Sequence, residues 1–220
     1  MVDETADNQK AAEDIVNGCT FDNNLPCIAE KEIVAVDSIA DELLHYMVSE
    51  QGCYMISKEE QDALTEVVLK GGRLNRKCVG RDAKTLLGMI GITVPDNIRC
   101  ITFEGPKEHP LIAEELMMPI LGVVRAKDFD DAVEQAVWLE HGNRHSAHIH
   151  SKNVDNITKY AKAIDTAILV KNGPSYAALG FGGEGYCTFT IASRTGEGLT
   201  SASTFTKRRR CVMTDSLCIR

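Results

Sequence analysis

No uninterrupted apolar run in this 220-residue sequence approaches the length that a bilayer-spanning helix needs. The opening segment, residues 1–7, is acidic and has no apolar centre, so no signal peptide is read there. An excess of positive charge is also missing. Lys and Arg number 24 against 32 Asp and Glu, for a net charge of -8, and phosphate backbones call for the opposite sign. Nucleic acid is therefore excluded as the main partner. There is no CxxC pair, and Cys19, Cys27, Cys53, Cys78, Cys100, Cys187, Cys211 and Cys218 are irregularly spaced. That pattern is unlike a secreted disulfide framework, and it reads as reduced thiols in a cytosol, mostly packed as small hydrophobes. No HExxH pattern, internal repeat or low-complexity tract is present.

What is present is the balance of a soluble globular chain that can bury a core: 44% hydrophobic and 25% charged residues. Ala6 to Gly18 reads as a helix, with Asp7 as its cap and Ala11, Ala12, Ile15 and Val16 on one face. Cys19 to Pro26 is a run of turn formers. Ile33 to Val36 is a strand. Ser38 caps a helix with Ile39, Leu43, Leu44 and Met47 inward, and Ser57 with Glu60 opens another over Lys58 to Leu69. Gly71 and Gly72 end that helix, and Asp82 to Met89 forms a fourth.

From Arg99 onward strands and helices alternate. The strands are Arg99–Phe103, Ile120–Ala126, Ser146–His150 and Ala167–Lys171. The helices are Pro110–Met117, Asp128–His141, with Phe129, Val133, Val137 and Trp138 inward, and Val154–Ile164. This alternation implies βαβ units and a largely parallel sheet. Gly173 to Gly198 is a glycine-rich loop, and Thr204 to Thr214 has strand character. No strand precedes the first helix to launch it. Met1 before Val2 looks like a start placed inside a longer frame, so the chain is expected to be a fragment.

Four features could carry chemistry. Cys27 follows the polar turn Phe21 to Pro26; a thiol at the start of a helical turn is activated as a thiolate, and a half-buried loop cysteine is the competing reading. His148 and His150 share a strand face, with His145 on the other and His141 nearby, but tetrahedral zinc needs three or four converging ligands. Glu114 and Glu115, adjacent on a helix, project about 100° apart and would not serve one site together. Lys207 to Arg210 reads as a solvated basic run. Gly180 to Gly185 lacks the strand–turn–helix setting of a nucleotide-binding fingerprint.

Taken together, Phe21 to Cys27 with Ile28, Ala29, Glu30 and Lys31 resembles the active-site segment of CoA-acylating aldehyde dehydrogenases, the propionaldehyde and acetaldehyde type of bacterial microcompartments. The resemblance continues in order. Glu114 to Pro119 resembles the superfamily's glutamate motif, His145 to Ser151 the strand after it, and Phe181 to Gly183 with Thr195 to Gly198 its later glycine loops. It implies an α/β, three-layer catalytic domain with a mostly parallel sheet flanked by helices over residues 1–203, and a C-terminal strand and oligomerisation tail over 204–220. The NAD-binding domain is expected to be absent.

The same resemblance implies Cys27 as the nucleophile, with Glu115 and Met117 on the nicotinamide-ribose side. It implies NAD as cofactor, coenzyme A as co-substrate and a short-chain aldehyde as substrate. Homo-oligomerisation, shell-protein partners and a cytoplasmic or microcompartment location follow, with no membrane and no nucleic acid. The isolated fragment is expected to be inactive. Two other readings stand beside this one: a non-catalytic binding or assembly module of the same descent, and a metal-binding protein built on the histidines.

Overall fold

The protein is described from a computed structural model, which covers residues 1–192 and 198–214. The Asp7 side chain accepts the Lys10 amide and opens α1 (Asn8–Thr20), whose Ala11, Ala12, Ile15, Val16 and Cys19 are buried. β1 (Glu32–Val36) runs straight into α2 (Asp37–Ser49). The cap expected at Ser38 is not made. Val36 occupies the cap position without a side-chain bond, because the strand leaves no loop residue between the two elements. The three-residue β2 (Cys53–Met55) is too short for its alternation to be read from sequence. The Ser57–Glu60 box opens α3 (Lys58–Val68), and Asp82 caps α4 (Ala83–Met89).

β3 (Cys100–Glu104), α5 (Pro110–Ala113), β4 (Ile120–Ala126), α6 (Phe129–Leu139), β5 (Ser146–Ile149), α7 (Val154–Ile164) and β6 (Ile168–Lys171) follow. α5 is shorter than expected. Glu114 is extended and Met117 takes φ 55°, so the helix ends at Ala113; Glu114 and Glu115 are exposed while Leu116 and Met118 are buried. On α6, Val137 and Trp138 are not inward: they are 39% and 41% exposed. Phe129, Ala132, Val133, Ala136 and Leu139 set the buried stripe, and Trp138 lies instead under the Lys107 ammonium, 5.3 Å from its ring centre.

The glycine-rich stretch contains a 3-10 turn, Ser175–Leu179, and the antiparallel pair β7 (Thr190–Ala192) and β8 (Gly198–Thr200). Thr195, Gly196 and Glu197 lie outside the described residues. The strand expected over Thr204–Thr214 is absent there. Thr204 and Phe205 close a 3-10 turn, and the residues up to Thr214 are exposed and pair with nothing in a sheet. Positions 215–220 of the expected tail are outside the described residues.

Four strands form one parallel sheet, in the order β1-β4-β3-β2, and β5 and β6 form a second parallel pair. Val2 joins them. Its amide donates to the Val34 carbonyl at 2.8 Å, and its carbonyl accepts the Val36 amide at 3.1 Å. On the other side the Asp3 amide donates to the His150 carbonyl at 3.2 Å, and the His150 amide to the Met1 carbonyl at 3.0 Å. Residues 1–3 thus make the strand rung that the sequence reading did not expect before α1. α2 and α6 both pack on β1 and β4, α1 lies against α2, and α7 lies against α6. The result is an α/β sandwich whose parallel sheet is flanked by helices, with Phe103, Ile33, Leu43 and Leu121 fully buried inside it.

Candidate active site

Cys27 is exposed at the apex of a loop whose shape follows from its residues. Asp22, Asn23 and Asn24 all take positive φ, 48°, 50° and 66°, a conformation that Asp and Asn bear more readily than other side chains. Asn24 is buried, and its amide nitrogen donates to the Cys19 carbonyl at 3.0 Å and the Glu30 carbonyl at 2.8 Å, closing the loop at its base. The Ala29 amide donates to the Pro26 carbonyl at 3.0 Å. Cys27 therefore stands in a single hydrogen-bonded turn, not at the start of a helix. Its neighbour Ile28 anchors the turn, packing with Ile168, Val170, Ala178 and Leu179. Cys19, Cys53, Cys78 and Cys100 are buried; Cys187 and Cys211 are exposed, and Cys218 lies outside the described residues.

The three residues that leave this loop are charged and turned inward. Glu30 is buried; one carboxyl oxygen accepts the Ser175 amide at 2.8 Å, and the other has no partner. Burial pushes its pKa up to about 8. Burial also pushes Glu32 up to about 7. The Lys31 ammonium donates to the Asn24 side-chain oxygen at 2.7 Å, the Asn24 carbonyl at 3.1 Å and the Pro26 carbonyl at 3.4 Å. It also lies 3.6 Å from Glu115. Burial lowers its pKa, against the opposing pull of Glu115 and of the Cys19 and Cys27 thiols.

A cavity of about 460 Å³ opens beside Cys27, at the N-terminal ends of β1 and β5. Glu114 and Glu115 both line it. They are not on a helix, so the separation of about 100° expected of them does not apply. Met117 has φ 55°, and its carbonyl accepts the Gly80 amide at 2.9 Å; it does not line the cavity. His145 precedes β5 rather than lying on it, so it faces the cavity together with His148 instead of opposing it. His145 Nδ1 is 2.8 Å from the Ser146 hydroxyl, and its amide donates to Glu140 at 3.1 Å. His141 Nε2 is 3.1 Å from the Ala113 carbonyl.

His148 and His150 each bury an Nε2 atom with no hydrogen-bond partner, and burial holds both pKa values down at about 3. Among the described residues no three His, Cys, Asp or Glu side chains are placed to hold a metal. Lys207 to Arg210 are exposed and outside the cavity. The glycine loop does reach the cysteine loop: Tyr176 packs between Phe21, tilted at 5.4 Å, and Phe181, edge-on at 5.3 Å.

The sequence points to Cys27 and Glu115 as site residues and to Glu30 and Lys31 only as part of the cysteine's segment, without a role of their own; Glu140 carries no such signal. Charges that alternate beside a turn look solvated in one dimension. Their burial depends on residues far away in sequence.

The family model described as the aldehyde dehydrogenase family matches residues 97–206, half of the sequence. The chain belongs to the aldehyde dehydrogenase family. Among its relatives, an acetaldehyde dehydrogenase (acetylating) of Salmonella typhimurium is 47% identical over 222 residues, covering 98% of this chain and 47% of that protein. A propionaldehyde dehydrogenase from the Clostridium phytofermentans fucose utilisation bacterial microcompartment superposes with a TM-score of 0.94 at 82% identity, covering 100% of this chain and 50% of that one. A Rhodopseudomonas palustris propionaldehyde dehydrogenase with bound propionyl-CoA gives 0.93 at 56% identity, covering 96% and 47%.

This aldehyde dehydrogenase chain spans about half the length of the curated relatives it matches. The Cys27 loop precedes the segment that the family model covers, whereas Glu115, His145 and the glycine loop fall within it. No helix among the described residues is long and apolar enough to cross a membrane.

Proposed function

We propose that this chain is the cysteine-bearing half of a CoA-acylating aldehyde dehydrogenase, which converts a short-chain aldehyde such as propionaldehyde or acetaldehyde to its acyl-CoA. The observation that carries the reading is the exposed Cys27 thiol at the apex of a tethered loop, opening on the same cavity as Glu115. The kinship with acetylating and propionaldehyde-specific enzymes supports the substrate class.

In this mechanism the Cys27 thiolate attacks the aldehyde carbonyl carbon, forming the C–S bond of a hemithioacetal. Loss of hydride from that carbon and of the hydroxyl proton leaves a thioester on Cys27. The CoA thiolate then attacks the thioester carbonyl, releasing acyl-CoA and regenerating the Cys27 thiolate. The Cys27 amide serves as one oxyanion donor, with a second coming from the other half of the full-length protein.

A nicotinamide dinucleotide, when bound, accepts the hydride. Glu115 fits a place beside its ribose: the side chain is 59% exposed at the cavity rim, and an ionised carboxylate is an acceptor suited to hydroxyl donors. Met117 packs nearby in this assignment. Most of the dinucleotide contacts fall to the other half of the longer protein. Residues 1–203 are the catalytic domain in this reading, and 204–220 serve homo-oligomer contacts, to which the exposed Phe205 and Val212 lend support. The microcompartment source of the Clostridium relative supports a microcompartment setting, and a cytoplasmic location with shell proteins as partners belongs to the same proposal.

Acyl transfer in reverse tests the reading without a nicotinamide. Incubated with propionyl-CoA, the chain should gain one propionyl group on the Cys27 peptide by mass spectrometry, and Cys27→Ala should abolish it. Acylation spread over several cysteines, or none, would sink the catalytic assignment and favour a non-catalytic binding module. NADH formation from propionaldehyde and CoA should be negligible for this chain alone.

A further inference from the structure

The cavity beside Cys27 is a poor place for a thiolate on most counts. Among the described residues five carboxyl groups line it: Glu114 and Glu115 after α5, Glu140 at the end of α6, and Glu30 and Glu32 around the start of β1, whose pKa values of about 8 and about 7 keep the last two partly protonated at neutral pH. The nearby nitrogen bases do little to offset them. Burial lowers the pKa values of His145 and of His148, the latter to about 3. His141 points a ring nitrogen at the Ala113 carbonyl. Among the described residues Lys31 is the one Lys or Arg lining the cavity.

Lys31 is also held in an unusual way. Three of its four close partners are neutral oxygens of the cysteine loop itself: two from Asn24 and one from Pro26. Neutral acceptors fix an ammonium in place without cancelling its charge. Among the described residues Glu115, at 3.6 Å, is the only carboxylate in ion-pair contact, and it is largely exposed, so that pairing is screened by water. The Lys31 side chain is only 17% exposed, so the field it projects into the cavity is screened far less.

We propose that Lys31 is a positioning residue for Cys27. Its ammonium ties the ends of the loop that carries the thiol, and it supplies the positive charge that a thiolate needs among carboxylates. The inference deepens the catalytic reading of Cys27 and rests on it. Glu115 is the counterweight: its carboxylate draws on the same ammonium, so neutralising Glu115 leaves more of the Lys31 charge for the thiolate. The two residues therefore act on Cys27 with opposite sign.

The test is the pH profile of Cys27 alkylation by iodoacetamide on the whole chain, with each cysteine peptide quantified by mass spectrometry. Lys31→Met should raise the midpoint by about one pH unit and slow alkylation about tenfold below it. Glu115→Gln should lower the midpoint, and Lys31→Arg should restore most of what Lys31→Met loses. Circular dichroism shows whether Lys31→Met is folded; Glu115→Gln, at an exposed side chain, carries the test if it is not. Midpoints that stay put in both variants, or move the same way, overturn the proposal. Failure of the catalytic reading is a separate result: propionyl-CoA would then not acylate Cys27, whatever the direction of these shifts.

Discussion

The Glu30 carboxyl accepts the Ser175 amide at 2.8 Å across 145 residues of sequence. It thereby pins the loop of Cys27 to the turn that begins the glycine-rich stretch. Its second oxygen lies against Gly18 of α1, where a Cβ would stand 2.0 Å from it. One buried side chain thus sets the spacing of three segments.

The Glu30 proton should be visible in stability. Its pKa rises from 4.5 to about 8 on burial, so between those values the folded state holds a proton that the unfolded state has lost. Stability from this group is therefore full below about pH 4.5 and falls as pH rises through 8. Glu30→Gln keeps an acceptor for Ser175 and should flatten that slope by a few kcal/mol, in the direction of greater relative stability at pH 9. Urea denaturation at pH 5 and pH 9 measures it; an unchanged slope would show that the site holds an ionised carboxylate.

His148 and His150 act with the opposite sign. Both are held down at about 3 from 6.5, so acid protonates the unfolded chain first. Their contribution is present above pH 6.5 and is lost as pH falls toward 3. Replacing both with Gln should shrink the fall in Tm between pH 7 and pH 5. Because Glu30 works against them, the difference between variant and parent, measured by thermal unfolding, reports on the histidines.

Gly122 on β4 leaves room for Ile112, a residue that lines the cavity. A Cβ at this glycine would lie 2.2 Å from Ile112 Cγ1 and 3.1 Å from Phe103 Cζ. Gly122→Ala should cost about 1–3 kcal/mol by overpacking. Adding Ile112→Ala should cost less than the two separate losses predict, since both changes meet in one space. Chemical denaturation of the single and double variants checks this, and strict additivity would contradict the contact.

Ser57→Ala removes one half of a capping box and should cost about 1 kcal/mol. Ser57 does not border the cavity, so Cys27 alkylation should keep its rate. A denaturation curve and the alkylation rate, measured on one preparation, check both halves.

Local signals were legible where their partners are local. The Asp7, Ser57 and Asp82 side chains accept backbone amides three residues on; the first two are legible as caps in the sequence, whereas Asp82 reads there as the first residue of its helix. Ser38 misled because β1 runs into α2 without a loop, which depends on where the sheet ends. Trp138 misled because its bulk suggested burial, whereas the phase of α6 is set by Phe129 and its neighbours. Cys27 and Glu115 could be named through family resemblance. The resemblance placed Glu30 and Lys31 in the cysteine's segment without a role, because what makes them unusual is contact with Ser175 and Glu115, far along the chain.

The rung at Val2 also has a consequence for how the chain is made. Its two neighbours are β1, at Ala35, and the end of β5, at His150. A ribosome adding about 5–20 residues per second needs roughly 7–30 s to travel from the first of these residues to the last. For that interval the outer side of the Val2 rung, which His150 will cover, is a bare edge open to pairing with another nascent chain. The acidic opening residues, Asp3 and Glu4, stand beside that edge and bring like charge to any second copy that approaches it.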